Sequence, residues 1–442
     1  MNAVLHPARA VALAFLLAIL AGTALLMLPA ARSGDGAASF IAAFFTAVSA
    51  VCVTGLAVVD TGTYWSIFGQ AVIMVLFQLG GFGMMTAATL LGLLVNRSPR
   101  LRTRLVTQTE SRSLGMTDIA SVARLVLGIT AVSQLVLAAM LALRLRYAYG
   151  QAWGEAAWSG LFHAVSAFNN AGFSIHPDSL VRYAADALIL LPMMLAIVIG
   201  GIGFPVLNDL RLRWRDPRHW SLHTKLTLAG TLALLVLGTL GVLLFEWNNA
   251  RTLGAMGFTD KLLSSAFMSV SARTAGFNAI DIAALSHESL ALHYFLMFVG
   301  GGSAGTAGGV KVGTIVVLAL LVIAEVKGHR DTEAFGRRVG ASAQRQAITV
   351  LVLGSLAVAL GTLVMLRLTD LPPAQVIFEV IAAFGSAGLS TGITAQLPVS
   401  GQLLLTVLMF VGRVGTITIA TSLILGERRM PYRYPEENPI VG

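Results

Sequence analysis

One cysteine, Cys52, stands among the 442 residues, so no disulfide can form within the chain. Charge is scarce as well: 12% of residues are Asp, Glu, Lys or Arg, about half the share of a typical soluble domain. So few charges cannot clothe a folded surface in water, which excludes a soluble globular protein. Clusters of reactive side chains are missing too. His163 and His176 have no second ligand at helical spacing, and neither an H-E-x-x-H run nor a Ser-His-Asp set occurs. This argues against a metal centre or a hydrolytic site, and no enzyme and no covalent cofactor are expected. The formal net charge of +9 could suggest nucleic acid. The basic residues lie in short tracts between apolar stretches, however, which is the signature of membrane topology, so no nucleic-acid partner is expected.

What the chain has is apolar length. Hydrophobic residues make up 56%, and the mean hydropathy is +0.80. A helix needs about 20 apolar residues to cross a bilayer. Eight segments approach this: 10–29, 67–95, 119–143, 187–206, 226–245, 290–323, 348–366 and 403–425. The first has no small-residue cleavage site after it, and it reads as a retained helix, not a signal peptide. Between the members of each pair lies a shorter apolar segment: 40–50, 157–168, 262–270 and 376–384. Each is about 10 residues, the size of a re-entrant or interfacial segment, in a chain whose surroundings are membrane lipid.

Each short segment leads into a similar phrase: Val53-Thr54-Gly55, Asn170-Ala171-Gly172, Thr274-Ala275-Gly276 and Ser386-Ala387-Gly388. The glycines recur every 104 to 117 residues. A second landmark follows 24 to 28 residues later, at Gly80-Gly81-Phe82-Gly83, Gly200-Gly201-Ile202-Gly203, Gly300-Gly301-Gly302 and Gly412-Arg413-Val414-Gly415. Two landmarks in step predict true repetition. The expected fold is an all-α polytopic membrane protein, with four helix–pore-loop–helix repeats around a pseudo-fourfold axis. The repeats are placed at 1–98, 99–212, 213–328 and 329–430, the third holding an intramembrane gating loop, with a cytoplasmic tail at 431–442. Lys and Arg crowd one side, at 97–124, 211–225, 327–345 and 428–433. Both termini are therefore expected on the cytoplasmic side of a bacterial inner membrane.

Non-helical backbone at membrane depth must be buried in protein or line a watery path. Four such phrases meeting on an axis can offer carbonyl oxygens to a desolvated cation in place of its hydration shell. A plainer role, in which each glycine only caps a short helix, remains open for any one of them. Asp60, Asp178 and Asp281 follow three of the glycines and could ring an outer vestibule that concentrates cations, or be ordinary solvated loop carboxylates. Arg273 is expected to pair with one of these acids. The run Gly300, Gly301, Gly302, Ser303, Gly305, Thr306, Gly308, Gly309 and Lys311 should break its helix, since each glycine costs about 1 kcal/mol of helix propensity. Below the filter such a loop can act as a gate; close helix packing is the alternative. The run also fits G-x-G-x-x-G, but no strand precedes it, so a dinucleotide site is rejected. Arg413, deep in the last span, is read as part of the gate, or else as a carbonyl clamp.

Taken together, these marks resemble the Ktr/Trk/HKT superfamily of potassium transporters. The most specific are Arg273-Thr274-Ala275-Gly276-Phe277-Asn278, the 300–311 run and Gly412-Arg413-Val414-Gly415. The first repeat starts almost at the N-terminus, and Tyr434-Pro435-Glu436-Glu437 lies in the tail; both resemble the Ktr membrane subunit more than the Trk one. The resemblance implies potassium as the ion, with sodium as an activator. It also implies a homodimer with one pore per protomer and a cytosolic regulatory ring that binds ATP and ADP. A glycine in every filter phrase resembles the potassium-selecting members. A secondary symporter coupled to sodium or protons stays open as an alternative.

Overall fold

The computed structural model describes residues 7–96 and 116–425, with side chains described for 11–83 and 124–415. The basic tract at 97–112, Arg428, Arg429, Arg433, the tail 431–442 and the first repeat boundary lie outside the described residues. The main helices are α1 (Pro7–Leu26), α2 (Phe40–Val51), α3 (Ile67–Asn96), α4 (Met116–Tyr149), α5 (Trp153–Phe168), α6 (Ala187–Ile202) and α7 (Phe204–Arg213). They continue as α8 (Leu222–Glu246), α9 (Phe258–Ala272), α10 (His287–Val299), α11 (Val312–Val326), α12 (Ala341–Leu368), α13 (Pro373–Gly385) and α14 (Val399–Leu425). A small hairpin, Glu333–Ala334 against Arg337–Arg338, joins α11 to α12.

Local chemistry sets the helix starts. Ser39, Ser221 and Ser286 each accept the amide of the residue three positions on, at 3.3, 3.1 and 3.2 Å, the usual remedy for an unpaired first-turn N–H. The short helices α2, α5, α9 and α13 are almost wholly buried toward their C-terminal ends. The long helices α4, α8 and α12 are apolar and long enough to cross a bilayer, yet they turn residues such as Leu135, Leu240 and Leu363 outward. An apolar exterior around a buried interior fits a lipid surrounding.

One expected span is corrected. Segment 187–206 reads as a single crossing, but it breaks between α6 and α7 with a bend of 100°. Gly203 there has φ +102°, and Pro205 in the first turn of α7 has no N–H to continue the α6 ladder. The 290–323 span is interrupted between Val299 and Val312, as its glycines predict.

Each short helix packs against the long helices of its own segment. Contacts then run onward: α3 to α5, α6 to α9, α10 to α13, and α14 back to α2. The second landmark supplies close approach. A Cβ on Gly80, Gly200 or Gly412 would lie 2.0, 1.8 or 1.9 Å from the carbonyl oxygen of Val51, Phe168 or Phe384, at the C-terminal end of the same segment's short helix. Gly412→Ala should therefore lower the thermal unfolding midpoint of the detergent-solubilised protein, at a cost of about 1–3 kcal/mol for overpacking. Gly313→Ala, where an added Cβ meets nothing within 4 Å, should leave the midpoint unchanged.

Candidate functional site

At the end of each short helix the chain reverses hand. Val53, Asn170, Thr274 and Ser386 have φ of +55°, +56°, +72° and +51°, although none is glycine. Each such residue costs about 1–2 kcal/mol, so finding all of them at equivalent positions means that the surroundings enforce the turn. Two residues later Gly55, Gly172, Gly276 and Gly388 are again left-handed, at +91°, +72°, +79° and +76°.

The amides of these phrases fold back onto their own helix. Thr54, Ala171 and Ala387 donate to Ser49, Ser166 and Ala382 at 2.8 Å each, and Ala275 to Ser271 at 2.9 Å. Side chains reinforce the turn: Ser49 Oγ accepts the amide of Gly55 at 3.1 Å, while Ser166 and Ser271 donate to the carbonyls of Phe173 and Phe277. These serines were not singled out from the sequence. Their recurrence five or six residues before the glycine is the signal that could have found them. Most of the phrases' N–H groups are committed in this way, whereas the carbonyls of 53–55, 170–172, 274–276 and 386–388 accept no hydrogen bond among the described residues. Buried carbonyls are ordinarily paired, so rows of free ones form a ready set of hard oxygen donors.

The four phrases meet. A Cβ on Gly55 would sit 2.4 Å from Ala171 O, one on Gly172 3.0 Å from Ala275 O, one on Gly276 2.9 Å from Ala387 O, and one on Gly388 2.1 Å from Thr54 O. That sequence of contacts closes on itself. Only a residue without Cβ fits at such spacing.

The 300–311 loop lies against this cluster. Gly302 and Thr306 donate their amides to Gly201 O and Gly200 O at 2.8 and 3.1 Å. Thr306 Oγ1 lies 3.0 Å from Asn170 Oδ1, and the Gly308 amide donates to Thr274 Oγ1 at 3.2 Å. Arg413, 1% exposed, donates from Nη1 to Thr306 O, and Lys311 Nζ donates to Ala307 O at 2.7 Å. Arg413 thus clasps a carbonyl of the loop from α14.

The expected partner of Arg273 is corrected. Among the described residues it makes no ion pair; it closes α9, where helix-end carbonyls favour a cation, and lines a small cavity with Asn170, Thr231, Gly301 and Gly302. The three aspartates all follow their phrases but have local duties. Asp60 accepts from Thr63 N and Oγ1 at 2.7 Å, Asp281 accepts from the Ala283 amide at 2.9 Å, and Asp178 pairs with Arg182 at 2.6 Å. Partial burial works against the Asp178 charge, but the Arg182 guanidinium outweighs it and holds the carboxyl below its ordinary value. No contact joins Asp281 to the other two aspartates among the described residues. Cys52 is buried in the core around the first phrase.

The model of the TrkH family, described as a cation transport protein, matches residues 9–429. The chain belongs to this family. It is 38% identical over 436 residues to the Ktr system potassium uptake protein B of Bacillus subtilis, covering 99% of this chain and 97% of that one. It is also 36% identical to the potassium/sodium uptake protein NtpJ of Enterococcus hirae, covering 99% and 98%. Among solved structures, the potassium transporter TrkH from Vibrio parahaemolyticus matches at a TM-score of 0.70 and 20% identity, covering 95% of this chain and 84% of that chain. That likeness establishes the fold of a polytopic membrane protein. Thr306→Val keeps the side-chain volume and removes the hydroxyl that holds the loop. If the 300–311 loop obstructs the ion path, losing a hydrogen bond of about 1 kcal/mol should raise initial cation uptake about fivefold in vesicles, read by isotope flux.

Proposed function

We propose that the chain is the ion-translocating subunit of a gated potassium-uptake system, and a transporter rather than an enzyme. The observation that carries this is the closed circuit of glycine phrases with committed amides and free carbonyls. Such carbonyls replace the hydration shell of a potassium ion, and the membrane potential drives the ion inward. In this reading Val53–Gly55, Asn170–Gly172, Thr274–Gly276 and Ser386–Gly388 form the filter. The repeats surround a pseudo-fourfold axis, a view supported by the contacts of α3, α6, α10 and α14 with the following short helix. Asp60, Asp178 and Asp281 stand at the outer vestibule. The 300–311 loop, Lys311 and Arg413 form the gate below the filter, and the repeat boundaries follow the sequence landmarks.

Relatives named as parts of a Ktr system support a multi-subunit assembly. We take it to be a homodimer of this chain on a cytosolic ring that binds ATP and ADP, with sodium as an activator. Both termini are assigned to the cytoplasm of a bacterial inner membrane on the strength of the basic tracts. One relative's name includes sodium, which favours a second reading in which sodium is also carried; strict coupling of the two ions would make this a symporter.

The deciding test is potassium and sodium flux into proteoliposomes for the wild type and Gly276→Ser. A serine there must hold φ near +79° with its Cβ 2.8 Å from Gly172 Cα. The expected outcome is a potassium preference in the wild type that falls at least tenfold in the variant. Equal preference in both would remove these glycines as the selecting element and bring the symporter reading forward.

A further inference from the structure

Glu379 is fully buried in the short helix of the fourth repeat, nine residues before Gly388. Nothing in the sequence pattern marks it. Its carboxyl group gathers the loop that follows the filter phrase. One oxygen accepts from Ser390 Oγ and from the Thr391 amide at 3.1 Å, the other from Thr394 Oγ1 at 2.9 Å. No cation pairs with it among the described residues. The Gly392 amide donates to Ser390 Oγ at 2.9 Å, which leaves the Ser390 hydrogen free for Glu379. Every partner can therefore donate, the set that an acceptor-only carboxylate requires.

The second repeat has a matching device. His163 also stands nine residues before its glycine, Gly172. Its Nδ1 lies 2.8 Å from Ser159 O, a group that only accepts, so Nδ1 carries the proton and Nε2 accepts from Ser174 Oγ at 2.9 Å. Ser174 and Ser390 are each the second residue after the glycine. In the circuit of close approaches, these phrases are not neighbours but face one another. The equivalent residues in the other repeats, Thr46 and Phe267, make no such contact with the loop beyond their glycine among the described residues. The fourth repeat also has no aspartate where the others carry Asp60, Asp178 and Asp281.

We infer that Glu379 is a positioning residue for the filter: it holds the outer rim of the fourth phrase and supplies, from behind, the carboxylate that this repeat does not carry in its outer loop. The inference rests on the filter reading above. Ser390 is two residues from Gly388, a chain distance of at most about 7 Å, so the carboxylate lies on the order of 10 Å from the carbonyl ring. A unit charge at that range, at an effective dielectric constant near 20, changes cation affinity about tenfold.

The test is potassium uptake and potassium-dependent thermal stabilisation of the full-length protein, for the wild type, Glu379→Gln and Glu379→Ala. Glu379→Gln keeps the shape and removes the charge. It should raise the potassium concentration for half-maximal uptake, and that for half-maximal stabilisation, by about tenfold, and lower the preference over sodium, while the maximal rate changes little. Should Glu379→Ala fail to fold, Glu379→Gln still decides. If Glu379→Gln folds and retains the wild-type half-saturation and preference, the inference is overturned, and Glu379 is a structural brace only. If the wild type itself shows no potassium preference, the filter reading fails first and this inference with it.

Discussion

The structure depends on the close approach of four backbone turns that carry no side chain at their point of contact. Gly55, Gly172, Gly276 and Gly388 can meet only because each lacks a Cβ. The meeting would still be costly if the amides were left unpaired, since a buried orphan donor costs about 1–3 kcal/mol. The short helices solve this. Their last carbonyls, and in the first segment the Ser49 hydroxyl, take up most amides of the phrase, and the left-handed residue two places before each glycine makes that reversal possible. Among the described residues the carbonyls of the phrase accept no hydrogen bond, and a cation is the ligand they suit.

Everything outside this cluster fixes its spacing. The landmark glycines Gly80, Gly200 and Gly412 bring a long helix onto the last carbonyl of the short one. The third repeat departs from that rule, and the departure has a reason. Gly300 packs against Gly308 O, within its own loop, so α10 ends where its counterparts continue. The chain released there is covered by the end of α6, which itself turns through 100° at Gly203. The two breaks fit one another: Gly302 and Thr306 bond to carbonyls that the end of α6 leaves open.

Much of this was legible in the sequence. The alternation of long and short apolar runs gave the helices, and the first glycine landmark marked the positions where the backbone turns left-handed. The short helices α5, α9 and α13 begin about a turn earlier than their apolar runs suggest, because Trp153–Glu155, Phe258–Asp260 and Pro373–Gln375 start each helix with mixed residues. The bend at Gly203 was not legible, since the 187–206 run has glycines at 200, 201 and 203 and prolines at 192 and 205, and their spacing does not say which of them, if any, breaks the helix. The partner of Arg273 was misread because a position just before the third glycine phrase says nothing about which side of the turn a side chain takes. Glu379 and the serines at the short-helix ends were missed for a related reason: their partners lie across a turn whose shape only the fold defines.

The least expected economy concerns Arg413. A cation buried at this depth is costly, and its Nε and Nη2 have no protein partner among the described residues. Among the described residues its bond goes to Thr306 O, and Thr306 in turn reaches Asn170 of the second glycine phrase. A further link joins the Gly308 amide to Thr274 of the third. Hydrogen bonds therefore tie the loop both to α14 and to two of the glycine phrases. Withdrawing the loop would free Arg413 and would also take a partner from Asn170 and from Thr274. In the proposed reading, gate position and filter order cannot be set independently. An ion that orders the carbonyl ring changes the grip on the loop, and a partner that moves the loop changes how firmly the ring is held.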